Sequence, residues 1–77
     1  MSTGRGLVGL VGALTTPTRG GDRPGEVELP VGGGRETFFA YSAEPLPYGQ
    51  PVLVVHDHGD ARVDVVAWFA APAHPGR

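Results

Sequence analysis

Glycine and proline divide this chain into pieces that are too short for stable helices. The 77 residues include 13 glycines and eight prolines. A glycine inside a helix costs about 1 kcal/mol relative to alanine, and a proline costs about 3 kcal/mol. No window of the sequence repeats apolar residues at the helical spacing i, i+3, i+4, i+7. The chain is therefore predicted to form short strands that are joined by turns.

Five segments have the composition of β-strands. The clearest is 25–31, where Val27, Leu29 and Val31 alternate with other residues at the period of a half-buried strand. The glycines that follow it predict a hairpin turn. The five predicted strands are residues 7–15, 25–31, 36–42, 50–57 and 62–69. Short strands with tight turns favour an all-β fold, a small five-stranded barrel of the OB-fold type, whose closure leaves no long exposed edge.

The length of the chain predicts one domain. We expect the barrel to occupy residues 6–70, with flexible tails at 1–5 and 71–77. The polar loop 16–24 is the longest predicted connection, and we expect it to be mobile and variable. The apolar run near the N-terminus is far shorter than the roughly 20 residues of a membrane-spanning helix. We therefore expect no transmembrane segment and a cytoplasmic location.

The charge and composition exclude several kinds of function. The formal net charge is -2, and the six basic residues are scattered arginines, which argues against a surface for duplex nucleic acid. The absence of cysteine excludes disulfides and thiolate metal sites. The absence of lysine excludes a Schiff base and a Walker-type phosphate loop. Isoleucine and asparagine are missing as well, a bias typical of a GC-rich, bacterial genome.

The stretch 52–66, VLVVHDHGDARVDVV, predicts the last hairpin. A two-residue turn at 59–60 would place Asp57 opposite Arg62 as an exposed cross-strand pair. The same register would place His56 on the core face, half-buried at the rim of the barrel.

The polar tip of this hairpin also contains candidate metal ligands. His56 and His58 share a strand face, and Asp60 follows them. The run partly matches the His-x-His-x-Asp-His ligand motif of metallo-β-lactamase-type hydrolases, but Ala61 stands where the closing histidine belongs. A zinc site needs three or four ligands. We therefore predict a polar hairpin tip without metal or other cofactor, and a metal-binding protein remains an alternative.

No constellation of residues predicts catalysis. Ser2 and Ser42 are the only serines, and neither lies in a Gly-x-Ser-x-Gly elbow. The glutamates fit solvated strand faces. We predict no catalytic residue and no enzymatic activity.

The aromatic residues suggest a binding surface. Phe38 and Phe39 are sequential, so one of them should point outward. Our candidates for exposed binding residues are Phe38, Tyr48 and Trp68. Such residues can contact a protein partner or stack on a base. The acidic balance favours the protein partner, and a single-stranded nucleic-acid-binding OB domain is the alternative.

The sequence resembles the C-terminal soluble domain of NfeD-like proteins. Residues 9–15, GLVGALT, resemble the Gly-x-x-Gly-x-Ala-x-Thr opening of that family, with the alanine one place early. Residues 25–27 and Ala40 resemble the second and third elements, and 46–54 match the hydrophobic-Pro-x-Gly-x-x-Val-x-Val segment. The usual Asp after the opening Thr is absent.

The resemblance implies a five-stranded OB-fold barrel that is not catalytic and mediates interactions. It also implies a protein partner, with stomatin- or flotillin-type proteins as the family's usual companions. Glycines of the motif would shape turns, and its apolar residues would fill the barrel. The predicted structural turn and core residues are Gly12, Leu46, Gly49, Val52, Val54 and Gly59.

Overall fold

Five strands make up the fold of residues 6–69, the part of the chain that the computed structural model describes. They are β1 (Val11–Thr16), β2 (Gly25–Val31), β3 (Gly34–Tyr41), β4 (Pro51–Gly59) and β5 (Arg62–Ala67). No helix occurs among these described residues, so the predicted all-β class is confirmed. The predicted tails at 1–5 and 71–77 lie outside the described residues.

The strands close into a barrel in the order β1-β2-β3-β5-β4. Four of the five pairings are antiparallel, and β3 pairs with β5 in parallel. The pairing of β1 with β4 joins the first and last strands of this order, so the ring is closed only while all five pairings hold, the parallel β3–β5 pairing included. The small five-stranded OB-like barrel predicted from the sequence is therefore the fold of this chain.

The first strand begins later than predicted. Residues 7–10 form a turn in which Leu10 N donates to Leu7 O at 3.0 Å. Gly9 has a φ of 98°, a left-handed conformation that ends an extended run. Leu7 is nevertheless buried, so this turn places an apolar side chain over one end of the barrel.

Inward-pointing side chains from all five strands form the core. Its largest member is Phe38, which is only 1% exposed. The prediction that Phe38 lies on the binding surface is therefore wrong. Phe38 pairs with the buried Val27, so the alternation along β3 turns Phe39 outward instead, where it is 47% exposed. The buried apolar residues are Leu7, Leu14, Val27, Leu29, Phe38, Ala40, Val52, Val54, Val63 and Val65.

Two glycines are required where strands approach closely. A Cβ on Gly12 would overlap the carbonyl oxygen of Glu28 and lie 2.8 Å from Leu29 Cδ2. A Cβ on Gly25 would overlap the carbonyl oxygen of Thr16, although Gly25 was not among the predicted structural residues. The close pairing of β1 with β2 therefore requires residues without a side chain at positions 12 and 25.

The other predicted structural residues occupy turn and core positions. Gly49 has a φ of 83° in the turn before β4. Val52 and Val54 are buried in the core, and Leu46 is half-buried against it. Gly59 has a φ of 82° and is the last residue of β4.

Gly12→Ala should destabilise the barrel. The added methyl group would force the backbones of β1 and β2 apart, and overpacking of this kind costs about 1–3 kcal/mol. In a domain of this size each kcal/mol lowers the melting temperature by about 4–8 °C. Gly34→Ala is the matched control, because a Cβ there meets nothing within 4 Å. Thermal unfolding followed by circular dichroism checks the pair, and equal melting temperatures would contradict the close-approach account.

Candidate functional site

The β4–β5 hairpin has a different register from the one predicted. Val54 pairs with Val65 as expected, but an irregularity then follows, and His56 pairs with Asp64. The turn residues are Asp60 and Ala61, with φ values of 54° and 62°, and not 59–60 as predicted. The turn therefore lies one residue later than predicted, and its two left-handed residues match the right-handed twist of the flanking strands.

The shifted register changes the partners of the polar side chains. The prediction that Asp57 lies opposite Arg62 is wrong, because Asp57 pairs with Val63 and its Oδ1 accepts from Gly59 N at 2.9 Å. Arg62 instead lies 3.7 Å from Asp60. The irregularity after Val54 reverses the alternation along β4. His56 therefore points outward and is exposed, not half-buried on the core face.

The two histidines lie together on the outer side of the hairpin. Their ring centroids are 4.4 Å apart. His58 Nε2 lies 2.9 Å from Asp64 Oδ1, within ion-pair distance of the carboxylate. Asp60 belongs to the contact with Arg62 instead. Within residues 6–69, no three His, Asp or Glu side chains are arranged to hold a metal ion. The alternative metal site at His56, His58 and Asp60 therefore lacks a formed ligand set.

An open groove lies between the hairpin tip and the loop that follows β1. It has a volume of about 580 Å³. Asp22 contributes an exposed carboxylate that has no ion pair or hydrogen bond within the described residues. The half-buried Tyr41 comes from the end of β3. The residues that line this polar groove are Gly21, Asp22, Tyr41, His58, Arg62 and Asp64.

A second, more apolar groove continues the first along β5. The two share Gly21, Tyr41 and Asp64 as lining residues. The second groove adds Val55 from β4 and Val66 from β5. The surface therefore has one continuous groove with a polar end at the hairpin tip and an apolar end nearer the middle of the barrel. We call it the outer groove.

One wall of the outer groove is fixed by a buried hydrogen-bond network. Thr18 is 2% exposed, and its Oγ1 lies 2.6 Å from Ser42 Oγ. Leu46 N donates to Thr18 Oγ1 at 2.9 Å, and Ser42 Oγ donates to Glu44 O at 2.7 Å. Thr18 N in turn donates to Leu46 O at 3.0 Å. These bonds anchor the base of the 16–24 loop on the connection between β3 and β4.

Thr18→Val should destabilise the chain although the side chain keeps its shape. The change leaves Leu46 N without its acceptor and removes the partner of Ser42, and an unsatisfied buried polar group costs about 1–3 kcal/mol. Thr37→Val on the exposed side of β3 is the control and should stay within about 0.5 kcal/mol. Urea unfolding measures both, and equal free energies of unfolding would show that the network does not hold the loop.

The outer face of β1, β4 and β5 exposes an apolar strip. Val11 pairs with Leu53, and Leu53 pairs with Val66, so these three side chains form one row across the strands. Val11 is 38% exposed and Val66 is 46% exposed. Val55 and Trp68 extend the row at 45% and 39% exposure. The apolar strip, defined as these five residues, meets the outer groove at Val55 and Val66.

Part of this surface could be predicted from the sequence. Trp68 and Tyr48 are exposed as expected, Tyr48 at 73% on the turn before β4. Leu53, Val55 and Val66 were not among the predicted binding residues. Their signal was present in the sequence, because consecutive apolar residues on a strand point to opposite faces and some must therefore be outside.

The fold and its surface define a class of protein. The chain is a small closed β-barrel that exposes an apolar strip beside a mixed groove. The family model of the NfeD C-terminal domain matches residues 11–66 of this sequence, and the chain belongs to this family. A search of curated proteins and a search of solved structures gave no significant match. Residues 6–69 contain no helix of the length and apolarity that a membrane crossing requires.

Proposed function

We propose that this domain is a non-enzymatic interaction module that binds a protein partner through the outer face of β1, β4 and β5. The observation that carries the proposal is the apolar strip, which leaves three valines, a leucine and a tryptophan in contact with solvent on one face. Clustered exposed apolar residues are typical of protein-binding surfaces, and tryptophan is enriched among the residues that contribute most to binding.

The chemistry near the outer groove supports a non-enzymatic role. His58 and Asp64 are arranged like the base and the carboxylate of a catalytic triad. Such a triad also needs a nucleophile, a hydroxyl or thiol within reach of the histidine. Ser42 lines the apolar part of the groove, but it is buried and its hydroxyl donates to Glu44 O. A hydroxyl that is held in this way is not available to a substrate.

The single-stranded nucleic-acid alternative has less support from the surface. OB-fold proteins bind oligonucleotides on the face of the second and third strands and on two loops, the one between the first and second strands and the one between the fourth and fifth. The outer face of β2 carries Glu26 and Glu28, and the β4–β5 loop consists of two residues. The exposed Phe39 pairs with Glu26, so a base stacked on it would meet a carboxylate. Arg19 and Arg23 lie in the 16–24 loop, but Arg35, the one basic residue of β2 and β3, pairs with Glu28 at 3.3 Å. The strand face therefore presents no unpaired basic side chain to a phosphate backbone.

Photo-cross-linking in the native host tests the proposal. A p-benzoylphenylalanine at position 66 lies in the apolar strip, and one at position 37, an exposed site on β3, serves as the control. We expect a discrete protein adduct from position 66 that position 37 does not give. The family resemblance makes a stomatin- or flotillin-type protein the first partner to seek in that adduct. No adduct at 66, or the same adducts at both positions, would contradict the proposal.

The cytoplasmic location remains a prediction of the sequence. Fractionation of the native host, followed by detection of the domain, tests it directly.

A further inference from the structure

We propose that the outer groove binds an extended segment of the partner that carries a lysine or arginine at one end and apolar side chains next to it. The basic side chain occupies the polar end, beside Asp22 and Asp64. The apolar side chains cover Val55 and Val66. This inference rests on the proposed function and specifies the chemistry of the partner at that surface.

The charge at the polar end of the groove selects a cation. Asp22 is exposed and has no partner within the described residues, so its carboxylate is available to a ligand. Asp64 has a second oxygen beyond the one that contacts His58. The single cation in the lining, Arg62, already lies near Asp60, whose side chain is 86% exposed. A carboxylate ligand would meet two aspartates here, whereas an ammonium or guanidinium group gains from both.

Tyr41 is placed to contact the stem of such a side chain. It is half-buried and lines both the polar and the apolar parts of the groove. Lysine and arginine bury their methylene stems against apolar surface while their charged ends stay near water. An aromatic ring at the junction of the two parts therefore suits a long basic side chain better than a short polar one.

The shape of the groove fits an extended strand of partner. Asp64 and Val66 are two residues apart on β5, so they point to the same side about 7 Å from each other. An extended segment repeats its side chains at the same distance. A basic residue over Asp64 would thus place the residue two positions away over Val66.

A second copy of this chain is the less suitable occupant. The chain carries eight carboxylates against six arginines, a formal net charge of -2. Two such barrels would repel each other, and neither presents lysine. The occupant that complements this surface is a basic segment of a different protein.

Synthetic peptides test the inference. The probe is acetyl-Ser-Arg-Ser-Val-Ser-Val-Ser-amide together with its reversed sequence, and the comparison peptides replace arginine by glutamate. The peptides are titrated into ¹⁵N-labelled protein, and backbone amide shifts are recorded. We expect an arginine peptide to shift Gly21, Asp22, Asp64 and Val66 and to bind at least about threefold more tightly than its glutamate counterpart, the effect of one exposed ion pair.

Asp22→Asn supplies the variant arm of the experiment. Asp22 has no partner in the described fold, so the change should leave stability intact. It should weaken the arginine peptide about threefold and leave the glutamate peptide no weaker. Glu28→Gln removes the same charge outside the outer groove, on the outer face of β2 where Glu28 contacts Arg35 at 3.3 Å. It controls for net charge and should have no effect on either peptide.

Several results would overturn the inference. The first is equal binding of the arginine and glutamate peptides, and the second is an unchanged affinity of Asp22→Asn for the arginine peptide. The third is no amide shift at peptide concentrations up to about 5 mM, a range that detects a binding free energy of about 4 kcal/mol. Shifts of the strip residues on dilution without peptide would instead assign the surface to a second copy. A cross-link at position 66 that persists in Asp22→Asn would keep the proposed function while the charge recognition fails.

Discussion

The parallel pairing of β3 with β5 is the contact on which the rest of the structure depends. Phe39 N donates to Ala61 O at 2.8 Å, and this bond joins the end of the β2–β3 hairpin to the β4–β5 turn. Ala61 can present its carbonyl there because it adopts a left-handed conformation with a φ of 62°. Such a conformation is uncommon for alanine, and the closure of the barrel compensates for its cost.

The same hairpin determines what the surface offers to a partner. The irregularity after Val54 brings His56 to the outside beside the exposed Val55, while Val63 and Val65 remain buried. Without it, the polar groups of the tip would fall on the core face. The neighbouring Thr18 network holds the opposite wall, so the outer groove lies between two fixed elements. A preformed groove of this kind loses little conformational freedom on binding.

Local sequence pattern predicted the elements better than it predicted their register. Strand β2 agrees with the prediction at both ends, because alternation and a glycine turn specify it. The hairpin register differed because nothing in the sequence marks Ala61 as left-handed, a conformation imposed by barrel closure. The sequence does not distinguish Phe38 from Phe39 as the buried residue, and only the pairing of Phe38 with Val27 decides between them. Thr18 was missed because its partners Ser42 and Leu46 are distant in sequence.

Hydrogen exchange at the Phe39 amide tests the closure most directly. Its acceptor is Ala61 O, so the amide is protected only while β3 and β5 are joined. We predict that the Phe39 amide exchanges only through global unfolding. Its opening free energy should lie within about 1 kcal/mol of the free energy of unfolding of the whole domain. Exchange at the rate of an unprotected amide, while the β2–β3 amides stay protected, would show an open barrel. Tyr41 of β3 and Asp64 of β5, which both line the outer groove, would then not be held together.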